Sequence, residues 1–175
     1  MNATTWADRR SEPAERESFA AAAEAHLDDV YAYLLFLVKD PTVAEDLTGE
    51  TFEKALRRWR AYDPRRGSAK TWLCQLARST ALDQLRSERR RRRREETFAP
   101  PERQEPAFAS GLSPALEQAV LALSAAEREV VALRVILDFD SESAGRLLGI
   151  SPTACSTRLS RALKKLEEMV SDVEL

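Results

Sequence analysis

The sequence predicts an all-α protein: two small helical domains joined by a flexible linker, the C-terminal one a helix-turn-helix. Three observations lead there. The 175 residues hold only 5 glycines and 7% aromatic side chains against 32% charged ones, a helix-favouring balance rich in Ala, Leu, Arg and Glu. Apolar residues recur at helical spacing in two separate blocks. Between the blocks, residues 95–112 (EETFAPPERQEPAFASGL) carry three prolines, a glycine and no apolar period, which reads as a linker.

Taken in order, residues 1–17 form an acidic leader with no apolar core, so no secretory signal is expected. No apolar run approaches the ~20 residues of a membrane helix, and a cytoplasmic protein is the expectation. Leu27, Val30, Tyr31, Leu34, Leu37 and Val38 then fall at the i, i+3, i+4, i+7 positions of an amphipathic helix. Lys39-Asp40-Pro41 breaks it, Asp40 as a cap and Pro41 in the first turn of a second helix. That helix runs from about Thr42 to Trp59, with Ala44, Leu47, Thr51, Ala55 and Trp59 near one face. Gly49 inside it costs roughly 1 kcal/mol of helix propensity relative to Ala. YDPRRGS is turn chemistry, with Ser68 as N-cap. A third helix from Ala69 carries Trp72, Leu73, Leu76, Ala77, Thr80 and Ala81 on one side and ends in the arginine run. The first domain is thus placed at 18–94 and the second at 113–175.

In the second domain Leu116, Val120 and Leu123 make a short stripe, and Ser124 to Glu127 is a capping box before REVVALRVIL. Ser141 is expected to cap a short helix through Leu148. Gly149 suits a left-handed C-terminal position, Ser151 caps, and Pro152 opens a last helix that buries Leu159, Ala162, Leu163 and Leu166. The other face of that helix shows Thr153, Ser156, Thr157, Arg158, Arg161, Lys164 and Lys165.

Charge is unevenly spread. Residues 1–50 hold 4 basic and 11 acidic side chains, while residues 51–94 hold 15 basic and 4 acidic. The near-neutral total therefore hides a strongly basic block, the signature of a polyanion partner. Cys74 and Cys155 are far apart and outside any metal-ligand spacing, so both are expected as reduced apolar side chains. His26 leads an apolar helix and is expected as a packing or surface residue. No phosphate loop, metal cluster or acid-base pair is present, so neither a cofactor nor catalysis is expected.

Three stretches carry binding chemistry. Helix, tight glycine turn and capped second helix is the helix-turn-helix arrangement, whose second helix meets base edges in the major groove. The segment from Arg57 to Trp72, RRWRAYDPRRGSAKTW, crowds aromatic and basic side chains around one turn, as single-stranded nucleic-acid sites do. The bland role for Trp59 and Trp72 is to close the core of a three-helix unit. The run Arg89 to Arg94 reads equally as a solvated helix end or as a phosphate-attracting surface.

Together these residues resemble the extracytoplasmic-function (ECF) sigma factors of bacterial RNA polymerase. VAEDLTGETFEKAL and YDPRRGSAKTWLCQLARSTALDQLR are similar to that family's second conserved region. LSAAEREVVALRVILDF and AGRLLGISPTACSTRLSRALKKLEEM are similar to its fourth. The resemblance implies a non-enzymatic factor that binds core polymerase, directs it to promoters and promotes DNA opening. It implies docking on the clamp helices of the largest subunit through Asp46, Glu50, Thr51 and Phe52, with the β flap as a second polymerase contact. The −10 element would meet Arg65, Arg66, Gly67, Ser68, Lys70, Trp72, Arg78, Ser79, Asp83 and Arg86. The −35 duplex would meet Ser151, Thr153, Ser156, Thr157, Arg158, Arg161 and Lys165. An anti-sigma factor is a further partner class the resemblance admits. Gly49, Ser79 and Ser156 depart from residues common in the family at those places. A linker of this length reaches about 60 Å extended, more than one duplex turn of ~34–36 Å. The alternative is a duplex-only helix-turn-helix regulator with a helical partner-binding domain.

Overall fold

In this computed structural model the described residues are 18–95 and 113–171. The leader at 1–17 and all but the first residue of the linker at 95–112 lie outside them. Among the described residues the helices are α1 (Phe19–Val38), α2 (Pro41–Arg58), α3 (Ala69–Glu95), α4 (Pro114–Ala122), α5 (Ala125–Val131), α6 (Ser141–Leu148) and α7 (Pro152–Ser171). A 3-10 turn, Trp59–Ala61, extends α2, and a π turn, Ala132–Ile136, extends α5. None of these helices is long and apolar enough to cross a membrane.

Local chemistry sets the boundaries. α1 starts before the Leu27 stripe because Ser18 Oγ accepts from Ala21 N at 3.2 Å and the alanine-rich turn behind it propagates well. It stops at Lys39, whose backbone turns left-handed at φ 62°. Asp40 then caps α2 by accepting from Val43 N at 3.1 Å. The Ser124–Glu127 capping box forms in both directions. At α6 the cap is Asp140 rather than Ser141. The Asp140 carboxylate accepts from Ser143 N at 2.8 Å and from its hydroxyl at 3.0 Å, leaving Ser141 as the first helical residue.

α1 is the axis of the molecule. One side packs on α2 and α3; the other meets α5 and the π turn. Tyr33, Leu34, Leu35, Phe36 and Leu37 are all buried, so this stretch is apolar on every side, as a helix enclosed by neighbours should be. A single stripe does not foresee Leu35 and Phe36; they are covered because the second half of the chain closes over them. Val30, Leu73, Val130 and Leu133 are fully enclosed in the same core, each contributing roughly 1.5–3 kcal/mol on the scale of side-chain burial. Two expected core residues are instead open: Leu27 is 48% and Leu163 42% exposed. In α7 the buried set is Cys155, Ala162 and Leu166. Both cysteines are free thiols, and burial pushes Cys74 up to about 12.

Polar groups also cross between the halves. Arg128 is buried and donates to Phe36 O at 3.2 Å and to Leu123 O. Burial, which disfavours its charge, lowers its pKa.

Candidate nucleic-acid interface

The loop between α2 and α3 is held from below by rings. Trp59 stacks on Tyr62 at 4.8 Å between centroids, and Trp72 meets Trp59 edge-on at 5.6 Å. Phe19 continues the cluster to Trp59 and Phe52. Tyr62 is buried, while Trp59 and Trp72 are half-buried. The tryptophans therefore anchor two helix ends, and the arginines are free of that duty.

Backbone bonds shape the rest of the loop. Asp63 accepts from Arg65 N at 3.0 Å through its side chain and from Arg66 N at 3.0 Å through its carbonyl. The Tyr62 hydroxyl donates to Gly67 O at 3.2 Å. Ser68 Oγ accepts from Thr71 N at 3.2 Å, the expected cap. Arg65 and Arg66 are left exposed. Beside them is a cavity of about 540 Å³ lined by Arg66, Gly67, Ser68, Trp72 and, from α6, Ser143 and Arg146.

Along α3, Arg78, Ser79, Asp83 and Arg86 share one face and line a second cavity with Leu147 of α6. Asp83 and Arg86 pair at 3.2 Å in the open. Lys70 pairs with Asp29 at 3.1 Å, donates to Leu137 O at 2.8 Å, and lies 5.5 Å above the Phe139 ring. Arg78 Nε reaches Glu129 Oε1 of α5 at 2.7 Å, and the Tyr33 hydroxyl donates to the same oxygen at 2.9 Å. Burial, with Glu129 second, holds the Tyr33 phenol well above its ordinary pKa. Burial opposes the Arg78 charge, and the Glu129 carboxylate outweighs it. Glu129 and Tyr33 escaped the sequence reading: a glutamate in REVV looks like a solvent-facing charge, and Tyr33 lies off the apolar stripe.

The second surface is the helix-turn-helix. Gly149 adopts φ 69°, and Ser151 Oγ accepts from Ala154 N at 3.1 Å. A cleft of about 580 Å³ lies between the start of α5 and the exposed front of α7, lined by Ser124, Ser151, Thr153, Thr157, Arg158 and Arg161. The Thr157 hydroxyl donates to Thr153 O at 2.9 Å. Ser156 is exposed, but its hydroxyl lies 3.0 Å from that of Ser141. Lys165 bonds Glu127, and that bond, followed by the Ser124 backbone, holds the Glu127 carboxyl down at about 2.

The third surface is a groove of about 700 Å³ between α1 and α2, lined by Phe19, Leu27, Tyr31, Gly49 and Phe52. Glu24, Asp28 and Glu45 also line it. Asp46 and Glu50 are exposed on α2 and Phe52 is half-buried. Thr51 is fully buried and donates to Leu47 O at 2.7 Å, so it faces the core.

Comparison with known proteins matches the chain to two family descriptions: Sigma-70 region 2 over residues 22–91 and Sigma-70, region 4 over residues 113–166. RNA polymerase sigma factor CarQ of Myxococcus xanthus is 31% identical over 91% of this chain and 93% of its own. ECF RNA polymerase sigma factor SigM of Bacillus subtilis is 27% identical over 83% and 91% respectively. Among solved structures, sigma factor RpoE in complex with the anti-sigma factor NepR, from Bartonella quintana, superposes with a TM-score of 0.75 and 25% identity, covering 87% of this chain and 96% of that one.

Proposed function

The chain belongs to the ECF sigma factors of bacterial RNA polymerase, and from that premise we propose how its surfaces divide the work. It is a promoter-directing specificity factor, not an enzyme: it brings core polymerase to promoters and promotes opening there. Two units serve it, 18–94 for the core enzyme and the −10 element and 113–175 for the −35 element. The groove of α1 and α2, with Asp46 and Glu50 beside it, docks on the clamp helices of the largest subunit, and the C-terminal unit meets the β flap. Arg65, Arg66, Gly67, Ser68, Lys70, Trp72, Arg78, Ser79, Asp83 and Arg86 take the −10 strand as it unpairs. Ser151, Thr153, Ser156, Thr157, Arg158, Arg161 and Lys165 read the −35 duplex. The site of action is the cytoplasm.

One observation supports this division best. The chain carries two basic surfaces of different design on separate helical units. The ring-anchored loop and α3 face suit unpaired bases and their phosphates. The capped recognition helix suits a major groove. A duplex-only regulator has no use for the first.

An anti-sigma factor is a further proposed partner, supported by the likeness to a sigma factor solved with one.

Reconstitution tests the reading. The protein is added to sigma-free core polymerase, and promoter-specific run-off RNA is measured. Specific duplex binding without initiation on any promoter the protein binds would sink it.

A further inference from the structure

The two basic surfaces are not equally open. The cleft at the recognition helix is lined only by residues of the C-terminal unit. That unit reaches the surface proposed for the unpaired strand at three places. α6 contributes Ser143 and Arg146 to the cavity beside Arg66, Gly67 and Ser68. The carbonyl of Leu137 takes Lys70. Glu129 takes Arg78, with the guanidinium Nε on one carboxylate oxygen at 2.7 Å and Nη2 on the other at 3.4 Å.

The third contact has a specific chemistry. Glu129 is 9% exposed and receives a forked guanidinium and a phenol hydroxyl on two oxygens. A forked guanidinium gives a phosphate the same paired bonds it gives a carboxylate. Resting on the −10 reading above, we propose that Arg78 and Tyr33 form a seat for a backbone phosphate of the unpaired strand. Glu129 fills that seat while the two halves are closed, so closure and a strand phosphate at Arg78 exclude each other. A strand phosphate at Arg78 displaces the carboxylate to water and shifts the joint between the halves toward its open form. The protein alone thus keeps its duplex-reading helix exposed and holds Arg78 and Lys70 across the closed joint, while Arg65 and Arg66 stay open.

The test uses the full chain. Cysteines introduced as Arg57→Cys and Lys164→Cys carry a distance-reporting dye pair; both positions are exposed, while the native Cys74 and Cys155 are buried. The ligand is a fluorescein-labelled single-stranded DNA of mixed sequence, followed by anisotropy. Glu129→Gln keeps the side chain's size and removes its charge. It lengthens the dye distance and tightens strand binding, about tenfold if the closed form outnumbers the open ten to one. Tyr33→Phe keeps the ring in the core and lengthens the dye distance more weakly, but it removes a donor from the seat and so gains less strand affinity than Glu129→Gln. Adding Arg78→Ala to Glu129→Gln abolishes the gain.

Unchanged distance and affinity in both folded variants overturn the closure. Opening of Glu129→Gln without tighter binding, or a gain that survives Arg78→Ala, overturns the phosphate seat. The −10 reading fails separately, if Arg65→Ala with Arg66→Ala leaves promoter opening by the reconstituted polymerase intact.

Discussion

A Cβ placed on Gly145 would lie 2.8 Å from the carbonyl oxygen of Ile150. The obstacle is backbone, held by the Ile150 N–H bond to Gly145 O at 2.9 Å, so it cannot swing aside. Close approach of α6 to the turn is what sets the angle of α7. Gly145→Ala should therefore cost about 1–3 kcal/mol, the usual range for overpacking. Thermal unfolding followed by circular dichroism measures the loss. Affinity for −35 duplex should fall with it, because the recognition helix is displaced. An unchanged melting temperature would mean that the turn is looser than its contacts imply.

Arg65→Ala combined with Arg66→Ala should impair promoter opening and spare polymerase binding. Both side chains are exposed, and the ring cluster beneath the loop does not depend on them. Permanganate reactivity of the unpaired strand reads opening; co-migration with core polymerase reads docking. Equal loss of both would make the loop a structural element.

Much of this architecture is legible locally. Asp40, Ser68, the Ser124–Glu127 box and Gly149 act within three or four residues of themselves, so their spacing alone declares them. Asp140 and Ser141 are both capping residues and stand side by side, and only geometry chooses between them. The arginines of the loop declared themselves by composition, and spacing put Thr51 on the face of Leu47 and Ala55, where it is buried, against the docking role the family resemblance implies for it. Least legible is the joint between the halves. Arg78 and Glu129 are 51 residues apart in sequence, and Tyr33 and Glu129 are 96 apart. No periodicity encodes a pairing at that separation. Leu27 keeps the spacing of the stripe and is nonetheless 48% exposed, because it lines the groove between α1 and α2 and not the core.

Acid should weaken the C-terminal unit through one identifiable group. Lys165 first, then Ser124, hold the Glu127 carboxyl at about 2 against an ordinary 4.5. A carboxylate depressed on folding stabilises the fold fully above its unfolded value and loses that contribution as pH falls through the folded one. Stability should thus decline between about pH 4.5 and pH 2. Glu127→Gln should be less stable at neutral pH and flatter across that window. Denaturant titrations at several pH values would reveal the difference; parallel curves for the two proteins would refute it.

The groove between α1 and α2 predicts a separation of stability from docking. Leu27 is 48% exposed, so Leu27→Gln should change folding stability by no more than about 0.5 kcal/mol. If the groove is the clamp-docking face, the same change should cost about 1–3 kcal/mol in association with core polymerase. Gly49→Ala sharpens the comparison, because a methyl there meets nothing within 4 Å. It should stabilise the helix by up to about 1 kcal/mol while projecting into the groove and weakening docking. Titration of labelled protein with core polymerase reports the second effect, and docking unaffected by either change would move the polymerase contact elsewhere.

The recognition helix separates sequence reading from charge. Arg158 is half-exposed and lines the cleft with Thr153 and Thr157, at the front of α7 where side chains meet base edges. Arg161 lines the same cleft but is more exposed and one turn further back. A base contact costs about 1–3 kcal/mol on removal and relaxes specificity at its own position, whereas a phosphate contact weakens all sequences alike and reduces the salt slope by about one. Arg158→Ala should therefore flatten promoter selectivity in the upstream element, and Arg161→Ala should lower affinity uniformly and make it less salt-dependent. Run-off transcription by reconstituted polymerase over a set of upstream-element variants, repeated at several salt concentrations, distinguishes them. Selectivity preserved in Arg158→Ala would shift base reading to the Ser and Thr side chains ahead of it. That would leave the arginines of α7 as backbone clamps.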